Sequence, residues 1–184
     1  MIKLKFYGLG GQGVVTAAKI LSAAVSLYGE KYASTVPAYG HERRGAPVYT
    51  DVFIDEEPIL LNSFVYEPDI VMVMDETLID KDVDVSKGSH ENTILILNSE
   101  NTDYINRYKN DYNFKKIYYV DGTQVALDCI GKPIPNGSML GTLSVSGIVS
   151  IDSTEKALID FFGERAGEKN ARAAREAYKR IKEL

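Results

Sequence analysis

The sequence runs to 184 residues, a length suited to one packed core rather than two. Its 21 Lys and Arg stand against 26 Asp and Glu, a formal net charge of −5, which argues against a nucleic-acid binder because those carry a basic excess or stripe. Hydrophobic residues at 45% and charged residues at 26% are globular proportions and exclude disorder, collagen and coiled coil.

Residues 2–7 (IKLKFY) alternate and are rich in apolar and aromatic side chains, which predicts a strand broken by Gly8 to Gly13. Residues 14–28 (VVTAAKILSAAVSLY) predict a helix buried around most of its circumference, with Gly29 at its C-cap. A short strand is expected at 32–36, then a loop at 37–47 (PAYGHERRGAP) and a strand at 48–54. The DEEP turn follows, with a further short strand at 59–61. Residues 70–74 (IVMVM) are wholly apolar and closed by Asp75, the signature of a central parallel strand, and 93–98 and 116–120 repeat the pattern. A polar helix is expected at 101–112. Helical periodicity resumes at 139–149, at 154–162 behind a Ser153 cap, and at 169–184 as a charged, Ala-rich surface helix. The expectation is one α/β domain over 1–184, a mostly parallel Rossmann-like sheet with helices on both faces and a C-terminal helix.

Gly8-Leu9-Gly10-Gly11-Gln12-Gly13 matches G-x-G-x-x-G between a predicted strand and a predicted helix. Glycines let the backbone turn sharply and bring N–H groups, at the positive end of a helix dipole, close to a phosphate. Gly8, Gly10, Gly11, Gln12 and Gly13 are therefore candidate anion-binding residues. A tight, closely packed turn without a ligand is the other reading. A dinucleotide needs an acid about 20 residues further on, at the end of the second strand. That place holds Ala33-Ser34-Thr35, with no arginine for a 2′-phosphate, and Val14-Val15 stands where a P-loop needs lysine.

The segment YGHERRG at 39–45 sets Arg43 and Arg44 side by side between glycines, suited to forked binding of phosphate or carboxylate. An ion pair with Glu42 or with a partner's acid is the bland alternative. His41 has no visible partner for acid–base work. Asp75 is read as a helix cap, Asn136-Gly137 as a turn before a helix, and Cys129 as a small core filler. No carboxylate pair or nucleophile triad stands out, so the chain alone does not read as a complete enzyme.

Cys129 is the only cysteine, which points to a reducing cytoplasm and cannot supply the four thiolates of an iron–sulfur cluster. With only His41 and His90, a zinc site would need Asp or Glu to complete it. The apolar start is too short for a signal peptide, and no stretch approaches the ~20 apolar residues of a membrane span. Neither nucleic acid nor membrane is an expected partner.

In order, GLGGQGVVTAAKIL, PAYGHERRGAPV, EEPIL, EPDIVMVMDETL and, more weakly, NGSMLGTLS resemble the gamma subunit of the thiamine-dependent 2-oxoacid:ferredoxin oxidoreductases, the pyruvate synthase type. The resemblance implies a cytoplasmic, multi-subunit enzyme of anaerobic metabolism. It converts a 2-oxoacid, coenzyme A and oxidised ferredoxin to acyl-CoA, carbon dioxide and reduced ferredoxin. Thiamine diphosphate would lie between alpha and beta subunits and the [4Fe-4S] clusters in other subunits, chiefly delta. This chain would hold no tightly bound cofactor; it would support assembly, with its glycine turn and paired arginines apt for the phosphates of coenzyme A. The indolepyruvate oxidoreductases contain a related domain and are the nearest alternative.

Overall fold

A computed structural model describes residues 1–38 and 44–184. Seven strands form one sheet: β1 (Ile2–Leu9), β2 (Tyr32–Pro37), β3 (Pro47–Asp55), β4 (Ile70–Val73), β5 (Ile94–Asn98), β6 (Lys116–Val120) and β7 (Lys182–Glu183). Their spatial order is β2-β3-β1-β4-β5-β6-β7. Strands β1, β4, β5 and β6 are mutually parallel. β3 runs antiparallel to β1, β2 antiparallel to β3, and β7 antiparallel to β6. The helices are α1 (Val14–Tyr28), α2 (Thr102–Asp111), α3 (Gly122–Ile130), α4 (Asn136–Thr142), α5 (Ile151–Phe162) and α6 (Glu164–Arg180), with 3-10 turns at Glu76–Lys81 and Leu143–Ser146.

The apolar runs of β4 and β5 are buried on both faces, whereas β6 is only partly covered, and the register explains why. Phe6, Met72 and Ile96 lie side by side and face the core built with α1, α4 and α5. One residue on, Tyr7, Val73 and Leu97 face the opposite way, onto Leu78, Ile105 and Tyr108. A strand with no polar face has both sides to cover, and full burial of each such side chain contributes roughly 1.5–3 kcal/mol. Coverage is lopsided: α2 and the first 3-10 turn cover one face, and α1 with the α4–α5–α6 group covers the other.

The expected α/β architecture holds, and several local expectations need correction. Residues 59–61 are not a strand: Leu60 is 95% exposed, and the segment runs without regular structure. The helix read at 139–149 starts earlier, at Asn136, and gives way to a 3-10 turn at Leu143. Asn136 and Gly137 are thus its first turn rather than a turn before it. Ser150, not Ser153, caps α5, its side chain accepting from Ser153 N at 3.0 Å. The last helix ends at Arg180, where Ile181 turns extended and the chain adds β7 to β6; Leu184 N donates to Ile117 O at 2.9 Å. Helix α3 was not foreseen, although Asp121 caps it through Gln124 N and Gly131 closes it in the left-handed region, both legible signals.

Candidate functional site

The site is assembled where β1 leaves the sheet. Gly8 admits α1 close to the strand: a Cβ there would stand 2.6 Å from Val14 Cγ2 and 3.3 Å from Met74 Cβ. Gly11 (φ 98°) and Gly13 (φ 77°) take left-handed conformations that other residues adopt at a cost. Gly13 sits at the N-cap of α1, which has neither a side-chain cap nor an acid in its first turn. The first intrahelical bond is Ala17 N to Gly13 O, at 2.8 Å. The amides of Val14, Val15 and Thr16 therefore lack intrahelical acceptors, at the positive end of a 15-residue helix.

Part of the loop is committed to holding its own shape. Gln12 Oε1 accepts from Leu9 N at 2.7 Å, and its Nε2 donates to Asp75 Oδ2 at 2.7 Å. Gly10 N donates to Ala46 O at 2.8 Å, and Gly45 N donates to Gly10 O at 3.0 Å. The glycine turn and the end of the arginine loop are thus stitched together by backbone bonds, which brings Arg44 over Gly11; a Cβ on Gly11 would lie 3.7 Å from Arg44 Cγ. Leu9, Gly10, Gly11, Gly13, Val15 and Arg44 border a cavity of about 480 Å³ opening on the start of α1. Uncapped amides and the Arg44 guanidinium, which has no ion pair among the described residues, form an electropositive cleft sized for a small ligand.

The sequence-predicted residues thus divide. Gly11, Gly13 and Arg44 face the cleft together; Gly10 borders it while its peptide secures the loop; Gly8 makes room for packing, and Gln12 is a lock. Arg43, with His41 and Glu42, lies outside the described residues. Asp75 has the capping role expected of it: its Oδ1 accepts from Thr77 N at 3.0 Å and Thr77 Oγ1 at 2.5 Å.

Two residues outside the predicted site shape the same edge: Asn98, to which the sequence reading gave no role, and Asn136, read only as part of a turn. Asn98, at the end of β5, donates from Nδ2 to Met74 O and Thr123 Oγ1, both at 2.8 Å, and accepts at Oδ1 from Gly122 N at 2.8 Å. This single buried amide ties β4, β5 and α3 together. Asn136 presses its side chain on Gly13, where a Cβ would stand 2.5 Å from its Nδ2. A second cavity, of about 350 Å³, opens between the ends of β4 and β5 and is lined by Asp75, Glu76, Glu100 and Asp121. Burial pushes the Glu76 carboxyl above its usual range. Four carboxylates repel an anion, so the electropositive end of the edge is confined to the β1–α1 side.

The topology also accounts for the missing dinucleotide signature. Antiparallel β3 occupies the place beside β1, so β2 lies two strand spacings from β1, roughly 9–10 Å. No parallel strand adjoins β1 there to present an acid to a ribose.

Fold and cleft together define an α/β domain with an electropositive turn at the start of its first helix. Among the described residues no group of three His, Cys, Asp or Glu is placed to hold a metal ion, and no helix is long and apolar enough to cross a membrane. The family model described as pyruvate ferredoxin/flavodoxin oxidoreductase matches residues 3–180, and the chain belongs to that family. It is 46% identical over 181 residues to the pyruvate/ketoisovalerate oxidoreductases common subunit gamma of Pyrococcus furiosus, covering 98% of this chain and 97% of that one. It is 44% identical over 179 residues to the pyruvate synthase subunit PorC of Methanocaldococcus jannaschii, covering 97% and 96%. The crystal structure of pyruvate oxidoreductase subunit PORC from Thermotoga maritima superposes with a TM-score of 0.85 at 34% identity, covering 99% and 97%. Within its family the chain is a gamma-type subunit of an oxidoreductase complex.

Proposed function

We propose that the chain is the non-catalytic gamma subunit of a thiamine diphosphate- and [4Fe-4S]-dependent 2-oxoacid:ferredoxin oxidoreductase of the cytoplasm, working with alpha, beta and delta subunits. The complex oxidises a 2-oxoacid with coenzyme A and ferredoxin to acyl-CoA, carbon dioxide and reduced ferredoxin. This chain, one domain over 1–184, contributes binding and assembly, while the reactive centres belong to its partners. The observation that carries the reading is the cleft: it offers amide donors and a guanidinium to an anion, and the described residues around it hold no nucleophile paired with a base.

Coenzyme A fits the donor set. Its phosphates are what the start of α1 and Arg44 suit chemically, with Arg43 as a further candidate, and when bound it supplies the thiol that accepts the acyl group. The chain's own part is to neutralise phosphate charge and fix the position of the carrier. A lone cysteine, Cys129, does not fit a cluster, which requires several thiolates.

The test is recovery from the native host. A tagged chain is expected to bring down partner subunits that reduce ferredoxin only when 2-oxoacid and coenzyme A are both supplied. Recovery of the chain alone, or turnover by the chain alone, would overturn the proposal.

A further inference from the structure

The segment between β3 and β4 turns its largest apolar side chains away from the core. Leu60 and Tyr66, at 95% and 75% exposure, are the two most exposed large apolar side chains among the described residues, and Leu61 and Phe64 between them are exposed as well. Scattered exposed leucines are ordinary, but four large apolar side chains within residues 60–66 form a patch. Tyr49 adds to it from β3: it shares the face of Asp51, and its ring lies 4.9 Å from the Lys5 ammonium, which also bonds Val65 O.

This segment is held in place without regular structure. Val65 is buried and bonded to Asp51 and Lys5, and Pro68 is buried. At Tyr66 the backbone meets Gly88 so closely that a Cβ on Gly88 would stand 1.7 Å from the Tyr66 carbonyl oxygen. Val65 points in, and Phe64 and Tyr66 on either side of it point out. A backbone fixed beforehand loses less freedom on meeting a partner, which favours binding.

Charge selects the occupant. Residues 55–69 carry Asp55, Glu56, Glu57, Glu67 and Asp69 and no Lys, Arg or His. Asp55 is paired with the N-terminal ammonium, and Asp69 accepts from Lys3 N at 2.8 Å beside His90. Glu56, Glu57 and Glu67 are exposed and form no ion pair among the described residues. Elements beside the segment bring Lys3, Lys5 and Lys87, fewer than the five acids, and Lys5 is spent on Asp51. A second copy of the chain would set this acidic rim against itself, and an anionic lipid or nucleic-acid surface would be repelled. A protein surface with an apolar hollow rimmed by Lys and Arg matches both the apolar centre and the acidic border.

We propose that residues 60–66, with Tyr49, are the surface by which this chain docks on another subunit of its complex, at an apolar hollow bordered by basic side chains. This surface rests on the proposed function, in which the chain is one subunit of a larger enzyme. Leu60, Leu61, Phe64 and Tyr66 fill the hollow. Glu56, Glu57 and Glu67 meet cations at its rim, where charge governs encounter and orientation more than affinity.

A tagged full-length chain in its native host is the test, with the recovered proteins identified by mass spectrometry. Leu60→Ser, Leu61→Ser and Tyr66→Ser together should lower recovery of the oxidoreductase subunits at least tenfold, while the isolated variant melts as the unaltered chain does. Glu56→Lys, Glu57→Lys and Glu67→Lys together should lower recovery in low salt, with the gap narrowing as salt is raised. On irradiation, Leu60→p-benzoylphenylalanine should cross-link to an apolar stretch flanked by Lys or Arg in one of those subunits. Undiminished recovery by either multiple variant, or a cross-link to a second copy of this chain, would overturn the docking surface and leave the proposed function standing. Recovery of no subunit by the unaltered chain would instead overturn the proposed function, and this partner with it.

Discussion

Lys5 and Asp51, opposite one another on β1 and β3, form an ion pair of 3.5 Å, and both bond the backbone of Val65. Asp51 Oδ2 accepts from Val65 N at 2.9 Å, and Lys5 Nζ donates to Val65 O at 3.0 Å while lying 4.9 Å over the Tyr49 ring. Asp51 is fully buried, and its Oδ1 has no hydrogen bond, so Lys5 is its compensation on that side. The pair fastens buried Val65, the anchor of a segment whose Leu60, Leu61, Phe64 and Tyr66 are turned outward. A stretch with no ladder of its own is thereby given a fixed path across the sheet.

Removing Lys5 leaves a buried carboxylate beside an apolar side chain. Lys5→Met should cost about 3 kcal/mol, as breaking buried pairs does, and should loosen the 60–66 segment. Urea unfolding and amide exchange at Val65 measure the two effects; a loss below about 1 kcal/mol, the scale of a surface pair, would show that Asp51 is compensated elsewhere.

Burial holds the Asp51 carboxyl above the usual aspartate range, against the opposing pull of the Val65 amide and Lys5. The folded protein therefore binds that proton more tightly than the unfolded chain does. The resulting contribution is complete below the ordinary value of 3.8 and is lost as pH rises through the elevated folded value. Relative to Asp51→Asn, the protein should thus lose stability as pH rises from the ordinary value of 3.8 through the elevated folded value, and a pH-independent difference in urea midpoints would contradict this.

The Gln12 lock makes a charge-specific prediction. Gln12→Ala removes one acceptor and one donor and should cost about 1–2 kcal/mol, or roughly 2–6 °C in Tm at this chain length. Gln12→Glu keeps the acceptor for Leu9 N but sets a carboxylate against Asp75, so it should be the worse variant at neutral pH and recover on acidification. Thermal melts across pH decide between them; equal, pH-independent losses would mean that the Asp75 contact contributes nothing.

The sheet was legible because IVMVM is wholly apolar and ILILN and KIYYV are nearly so, which in a chain of this length fits central strands. The position of the cleft followed from glycines placed between a strand and a helix. Strand direction was not legible: β3 alternates as any half-buried strand does, and only its pairing with β1 reveals the reversal that removes the ribose site. Residues 59–61 read as a strand because Ile-Leu-Leu is apolar, but nothing in those residues shows that Asp51 and Lys5 will capture Val65 and leave Leu60 in solvent. Gln12 is likewise opaque, since its partner Asp75 lies 63 residues away.

Two glycines outside the cleft test packing against conformation. A Cβ on Gly141 of α4 would run into the Ala174 carbonyl of α6, backbone that cannot swing aside. Gly131 has open space around it and needs only its left-handed backbone. Gly141→Ala should therefore cost about 3 kcal/mol by overpacking and Gly131→Ala about 1 kcal/mol by conformation, compared in one denaturation series. The reverse order would mean that α4 and α6 part more easily than their contact suggests.

Arg44 decides whether the cleft acts on a ligand or only completes a turn. The backbone bonds of Gly10 to Gly45 and Ala46 do not involve its side chain, so Arg44→Ala should leave stability within about 0.5 kcal/mol, as at an exposed position. A guanidinium on phosphate contributes about 1.5–3 kcal/mol, and each 1.4 kcal/mol is tenfold in affinity. In the assembled complex Arg44→Ala should therefore raise KM for coenzyme A about tenfold or more with kcat nearly unchanged, because the charge binds the carrier in ground state and transition state alike. Added salt should shrink the difference by screening an exposed charge, which separates a charge contact from a displaced loop. If KM stays put while the subunits dissociate, Arg44 serves the interface, and the ligand reading of the cleft falls.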